Sequence, residues 1–304
     1  MRRVFIGGAV ICAALALAGW GVTRPALLPA DALATVTGDA TRGARIFALS
    51  GCASCHAAPG LSANDPGGSA SAAPVLAGGQ KLVSGFGTFV SPNISTDATY
   101  GLGAWSQQDF ANAVLRGVSP SGQHYYPAFP YAAYSRMTPA DLVDLWAYMQ
   151  TLPASDTPSI PHEIGFPVTL RRAVGLWKAL YMPATSPTDW VIDTTDPQIQ
   201  QGRYIVEALA HCAECHTPRT ALGGLQTSAW MTGAPNPSGR GSIPPLTPDA
   251  LSWHPDDIAY YLETGFTPDF DSAGGSMAKV VARFAKASPA DRAAVAAYIA
   301  ALPN

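Results

Sequence analysis

Arg2 and Arg3 precede a run from Val4 to Val22 that holds no charged residue. A positive start followed by an apolar stretch is the pattern of an export leader. The run is also long enough to cross a bilayer as a helix, for which about 17–25 residues suffice. Two expectations therefore stand side by side for residues 1–30: an uncleaved transmembrane anchor, or a signal helix cut near the small residues Ala16 to Ala18. Positive charge ahead of the run keeps the N-terminus in the cytoplasm in either case, so the chain from Asp31 onward is expected on the far side of the membrane. Cys12 falls inside the run and reads as a bystander.

Further along, the hydrophobic pattern repeats. TPADLVDLWAYMQTLP, Thr138 to Pro153, matches SPADRAAVAAYIAALP, Ser288 to Pro303, without a gap. Each copy opens with Thr or Ser as an N-cap, Pro at the first helical position and Asp two residues on. Each ends in Leu-Pro, where a helix must stop. Trp105, Asp109, Gly117 and Pro120 correspond to Trp253, Asp257, Gly265 and Pro268, and NISTD from Asn93 corresponds more loosely to PLTPD from Pro245. No strong alternating strand pattern intervenes. The pattern predicts an all-α chain of two small tandem domains, 38–153 and 196–304, joined by a linker over 154–195. The linker begins rich in Pro and Ser. It continues into LRRAVGLWKALYM, Leu170 to Met182, whose apolar positions recur near the helical period. That segment is expected to pack the two domains together; the other reading is a basic helix resting on a membrane surface.

Composition narrows the picture modestly. The 304 residues suffice for two ordinary domains, and 48% hydrophobic residues can build their cores. A net charge of −3 gives no basic face for nucleic acid. High Gly and Pro content, 29 and 27 residues, predicts many loops between the helices.

The cysteines carry the chemistry. CASCH occupies Cys52 to His56 and CAECH occupies Cys212 to His216, so every cysteine beyond the leader lies in a C-x-x-C-H motif. A zinc ribbon brings its two cysteine pairs within about 15–20 residues, far closer than these. A thioredoxin-like pair acts alone beside a β-α-β pattern, which is missing here. Covalent haem attachment explains both motifs. Two thiols add to the two vinyl groups of one porphyrin, and the following residue sets an imidazole under the iron. Cys52, Cys55 and His56 would thus hold one haem c, and Cys212, Cys215 and His216 a second.

At this point the chain resembles a known family, the c-type cytochromes. The segments GARIFALSGCASCH, NISTD, WSQQDF and YSRMTPADLVDLWAYM in the first half carry the likeness. In the second half it is carried by GRYIVEALAHCAECHTPR, WHPDDIAYYLETG and GGSMAKVV. Within that family they look like the cytochrome subunits of membrane-bound periplasmic alcohol and gluconate dehydrogenases. The resemblance covers most of 39–153 and 196–303 and implies two tandem cytochrome c domains, each wrapped around one covalently bound haem. Two departures stand out. Those subunits typically carry three haem domains where this chain has two. Many relatives read Pro-Ala-Met-Pro-Tyr where this chain has PAFPY, Pro127 to Tyr131, and Phe129 cannot ligate iron.

A methionine thioether opposite the histidine raises the reduction potential and closes the iron to substrates. In the first half Met137 is the expected sixth ligand, because the resemblance turns its segment toward the haem, while Met149 lies within the closing helix. In the second half Met277 is expected, since Gly274 and Gly275 would let a loop fold over the haem; Met231 follows His216 too closely. His124, His162, His211 and His254 read as surface or haem-edge side chains. Arg219 in CHTPR is expected either to pair with a haem propionate, as the resemblance suggests, or to be a solvated surface arginine. Trp105 and Trp253 read as core aromatics, and Tyr125, Tyr126 and Tyr131 as haem-edge packing.

The resemblance implies an electron-transfer protein rather than an enzyme. Electrons would pass from a periplasmic dehydrogenase through two His/Met haems to a quinone, an oxidase or another cytochrome of the respiratory chain. Its expected place is the periplasmic side of the bacterial inner membrane, anchored by the leader or free after its cleavage. The alternative is a diheme enzyme, such as a peroxidase or a thiosulfate-oxidising cytochrome, which needs an open coordination site.

Overall fold

The computed structural model of the protein describes residues 13–14, 16–59, 73–182, 192, 194–237, 239 and 241–303. Arg2, Arg3, Cys12 and most of the apolar run at the N-terminus lie outside these residues. Residues 16–22 are helical and exposed. Among the described residues no helix is long and apolar enough to cross a membrane.

The first half runs α1 (Ala40–Ser50), α2 (Cys52–His56), α3 (Gln107–Arg116), α4 (Tyr131–Tyr134) and α5 (Pro139–Met149). After the linker helix α6 (Ala173–Tyr181), the second half runs α7 (Pro197–Tyr204), a π-helical turn (Ile205–Leu209), α8 (Ala213–His216), α9 (Pro248–Leu251), α10 (Pro255–Thr264), α11 (Gly275–Phe284) and α12 (Pro289–Ala300). The protein is mostly helical. Two short antiparallel ribbons, Lys81–Ser84 with Gly87–Val90 and Ala234–Pro235 with Ser242–Ile243, are additions that the all-α expectation did not contain.

The helix boundaries follow local chemistry. Ser106 and Asp109 form a capping box at the start of α3, and His254 and Asp257 do the same for α10. Thr138 and Ser288 accept from the backbone N–H groups of Asp141 and Asp291, opening α5 and α12. Gly117 and Gly265 end α3 and α10 in the left-handed region that an L side chain resists.

One crossing sets each half. Gly43 of α1 lies so close to α5 that a Cβ there would stand 1.9 Å from the Asp144 carbonyl oxygen and 2.8 Å from Tyr148 Cβ. Gly202 of α7 lies against α12 with the same two distances, to the Ala294 carbonyl oxygen and Tyr298 Cβ. The N-terminal helix of each half thus rests on the backbone of its closing helix. From this crossing to the first haem-motif cysteine is nine residues in one half (Gly43 to Cys52) and ten in the other (Gly202 to Cys212). The extra residue is absorbed where Ala210 N–H reaches back to the Ile205 carbonyl, a π-bulge that leaves the crossing and the motif in place.

The halves then pack on each other with approximate two-fold symmetry. Arg45 of α1 donates to Asp291 at the start of α12, Nε to oxygen 2.9 Å. Counted from the two glycines, Tyr204 occupies the place of Arg45, and its hydroxyl donates to Asp141 at the start of α5 while accepting from Thr138 N–H at 3.0 Å. Each N-terminal helix therefore grips the first turn of the other half's closing helix.

The linker packs on both halves. Lys178 of α6 donates to the carbonyls of Arg116 and Gly117 at 2.6 and 2.8 Å, closing the end of α3, and stands over the Tyr131 ring. On the same helix Trp177 donates to the Leu222 carbonyl and Tyr181 bonds Thr220.

Gly43→Val and Gly202→Val each force a branched side chain into a backbone carbonyl. Each is expected to cost at least about 1–3 kcal/mol of stability, read as a lower thermal unfolding midpoint. Substitution at the exposed Gly85, which has open space, leaves the midpoint unchanged.

Candidate functional site

CASCH folds into a single helical turn, so Cys52 and Cys55 share a face and His56 follows at its end. Cys212 caps the matching turn that carries Cys215 and His216. The residue before each motif takes a left-handed conformation: Gly51 at φ 68°, and His211 at φ 46°. That kink separates the motif turn from the preceding helix.

The cysteine pairs are free thiols, standing where thioether sulfurs would be in the haem-bound protein. Burial, with Cys55 alongside, pushes the Cys52 thiol up to about 12, and burial pushes Cys212 up to about 11. A redox-active C-x-x-C needs the opposite, a depressed thiol pKa. Among the described residues no three His, Cys, Asp or Glu side chains converge as a metal site would need.

Both histidines are oriented for an iron. His56 Nδ1 lies 2.8 Å from the Pro92 carbonyl oxygen, and His216 Nδ1 lies 2.8 Å from the Pro244 carbonyl oxygen. A carbonyl only accepts, so Nδ1 carries the proton and Nε2 keeps its lone pair, the tautomer a metal requires. Burial lowers both imidazole pKa values and holds the rings neutral. The donor set fits haem c at both motifs: two thiols on one turn, then a neutral imidazole with Nε2 free. Sequence reading did not single out Pro92 and Pro244. The signal was present, because each immediately precedes one of the loosely matched segments, at Asn93 and Pro245.

The expected sixth ligands come from places that do not correspond. Met137 is buried in the turn between α4 and α5, where its N–H donates to the Tyr134 carbonyl. The corresponding bond in the second half, from Ala287 N–H to the Phe284 carbonyl, belongs to an alanine. Met277 sits half-buried in the first turn of α11, not in the loop that the glycines suggested. Met149 and Met231 are core residues.

The other residues singled out in the sequence make local contacts. Arg219 donates to the Gly223 carbonyl at 2.7 Å and to the Glu214 carbonyl at 2.8 Å, and pairs with the Glu214 carboxylate, bracing the loop after the second motif. His124 bonds the Thr23 carbonyl, His162 accepts from Val90 N–H, and His254 caps α10. Tyr126 packs with Phe89 and Val174 in a small cluster of its own. Trp105 and Trp253 pack on the main core.

Arg283 is the residue that sequence reading missed. It leaves α11 in the second half and donates to the Leu49 carbonyl of the first half at 2.9 Å and to the Ala210 carbonyl of its own at 3.3 Å. These carbonyls end the helices leading into the two motifs. Gly51 leaves room for it: a Cβ there would stand 2.1 Å from Arg283 Nη1. The guanidinium lowers the pKa of all four motif thiols against the burial that raises them. Arg283 thus ties together the chain just before each attachment turn. Opposite, the Tyr134 ring stands edge-on to His211, 5.6 Å between centres, while its hydroxyl donates to the Ser50 carbonyl.

Comparison with known proteins agrees with this geometry. The cytochrome c family matches residues 40–153 and 199–303. A diheme cytochrome c-type protein of Cereibacter sphaeroides is 46% identical over 304 residues, covering 100% of this chain and 99% of its own. The fructose dehydrogenase cytochrome subunit of Gluconobacter japonicus is 34% identical over 86% of this chain and 52% of its own. The cytochrome c subunit of a quinone alcohol dehydrogenase from Gluconacetobacter polyoxogenes is 33% identical over 86% and 55%. The chain spans about half the length of these dehydrogenase subunits.

Intact mass of the mature protein is expected to exceed the polypeptide mass by two haems. Replacing Cys52 and Cys55 together by Ala removes one of them and leaves the other, and replacing all four motif cysteines removes both.

Proposed function

The chain belongs to the cytochrome c family and binds two haem c groups, and from that premise we propose that it relays electrons from a periplasmic dehydrogenase into the respiratory chain. The observation that carries this reading is that Arg283 and Tyr134 each join the chain leading into one attachment turn to the chain leading into the other. Electron relay needs two redox centres held close in a fixed relation, with little reorganisation of their surroundings. Each haem supplies one-electron exchange at its iron when bound. His56 and His216 would hold the irons through Nε2, oriented by the Pro92 and Pro244 carbonyls, and Met277 would supply a thioether to the second haem. Arg283 and the paired contacts of Arg45 and Tyr204 hold the two halves in register, so the separation between centres does not drift.

The donor assignment rests on what the fructose and alcohol dehydrogenase subunits are named for. We place the chain on the periplasmic side of the inner membrane, attached through its N-terminal segment, with a quinone, an oxidase or another cytochrome as acceptor. Purification of this chain from membranes extracted in mild detergent tests the donor. A dehydrogenase subunit retained through the column, with its substrate reducing both haems, is the expected result. A chain recovered alone, and not reduced by any membrane dehydrogenase activity, rules the assignment out.

The cation between the motifs has its own signature. Arg283→Gln is expected to lower both midpoint potentials, because a positive charge favours the reduced, less positive iron. A shift of about 59 mV would correspond to a tenfold change in the oxidised-to-reduced ratio. Arg283→Lys keeps the charge and loses the two-carbonyl fork, so it leaves the potentials nearer the original while loosening the interface. Spectroelectrochemical titration measures both.

A further inference from the structure

The internal duplication can be read residue by residue around the two sites. In the first half a bridge joins Val118 to His124, and Tyr125 N–H donates to the Gly117 carbonyl at 2.8 Å. In the second half a bridge joins Phe266 to Ser272, and Ala273 N–H donates to the Gly265 carbonyl at the same distance. Ser119 N–H to the Gln123 carbonyl is likewise matched by Thr267 N–H to the Asp271 carbonyl. These bonds pair Tyr125 with Ala273. Four residues further on, Phe129 stands in the register position of Met277.

After that point the register shifts by two residues and is restored on the other side. Tyr131 closes over Gly117 as Val281 closes over Gly265, and Thr138 caps α5 as Ser288 caps α12. On this side Met137 pairs with Ala287. The two halves therefore place a thioether at one copy of this register position and a phenyl ring at the other. Met137 lies outside that position, in a turn whose second-half counterpart carries only a methyl group.

Phe129 is also held where it stands. It is half-buried against the core, and its ring meets those of Tyr125, Tyr131 and Tyr134 at 6.1, 6.1 and 5.8 Å, all near edge-on. A phenyl ring has no lone pair to give a metal.

We infer that the first haem has a distal face walled by Phe129 and lacks a methionine ligand, so that it binds small neutral ligands of the carbon monoxide type while the second haem does not. The inference rests on the reading of Met277 as distal ligand of the second haem. Met137 is then a packing residue, contrary to the sequence expectation. The chain becomes an asymmetric pair: one closed electron-transfer centre beside one centre with a coordination position to offer.

Carbon monoxide titration of the reduced, doubly haem-loaded protein tests this, alongside the long-wavelength charge-transfer band of methionine-ligated ferric haem. One equivalent of carbon monoxide per chain and one methionine band are expected. Phe129→Met should abolish carbon monoxide uptake and add a second band. Met137→Leu should change neither. No uptake by the unaltered protein, with two bands of which Met137→Leu loses one, would overturn the inference and leave the Met277 reading intact. Two equivalents and no band would instead overturn the Met277 reading, and the asymmetry with it. The titration is made on the unaltered protein, so it decides the matter even if Phe129→Met fails to fold.

Discussion

Everything in each half hangs on a helix crossing made without a side chain. Gly43 and Gly202 let the N-terminal helix lie on the backbone of the closing helix, with less than a Cβ's room between them. Backbone contact of that kind admits almost no sliding, because interiors close-pack and any bulkier residue meets a carbonyl. The helix so fixed ends one kink before the haem motif. The motif's position is thereby set from the far side of the domain, and the second half keeps it despite an extra residue by winding one π turn.

The interface uses the same elements a second time. Arg45 and Tyr204 each leave an N-terminal helix and bond the acidic first turn of the opposite closing helix. Pairing that runs in both directions brings the two attachment turns together near the axis. Arg283 breaks the symmetry there, occupying the notch that Gly51 leaves open, whereas the equivalent His211 fills its own notch and packs on Tyr134. Charge, rather than shape, is what the broken symmetry adds. Arg283 is the cation that acts on all four motif thiols, whereas Lys279 acts on Cys55 and Arg219 on Cys215.

Ligation shows the same economy of means. Neither histidine's tautomer is left to chance, since a proline carbonyl claims Nδ1 in both halves. Proline suits the position because it restricts the backbone that presents the carbonyl. The distal sides differ by contrast. The segments carrying Met277 and Phe129 leave matching bridges with matching bonds and arrive with different side chains.

What the sequence determined by itself was local or covalent. Two C-x-x-C-H motifs implied two haems, because thiol spacing and the adjacent imidazole are set along the chain. Two matching capped segments ending in Leu-Pro implied two closing helices, because caps and stops act within a turn. The family likeness followed from the order of such segments. Contacts between distant residues were decided only by the tertiary structure. Arg283 is an unremarkable arginine in the sequence, 68 residues beyond Cys215 and farther still from Leu49, and only folding brings it to both. Arg219, open to a propionate or a solvated reading, closes its own loop through Glu214 and Gly223. The amphipathic linker segment was open to two readings, since a stripe of apolar residues does not say what covers it, and only the fold shows that Trp177, Lys178 and Tyr181 bond to both halves. Met137 and Met277 looked alike because each precedes a closing helix. Only the hydrogen-bond register of the two halves shows that they stand at different places.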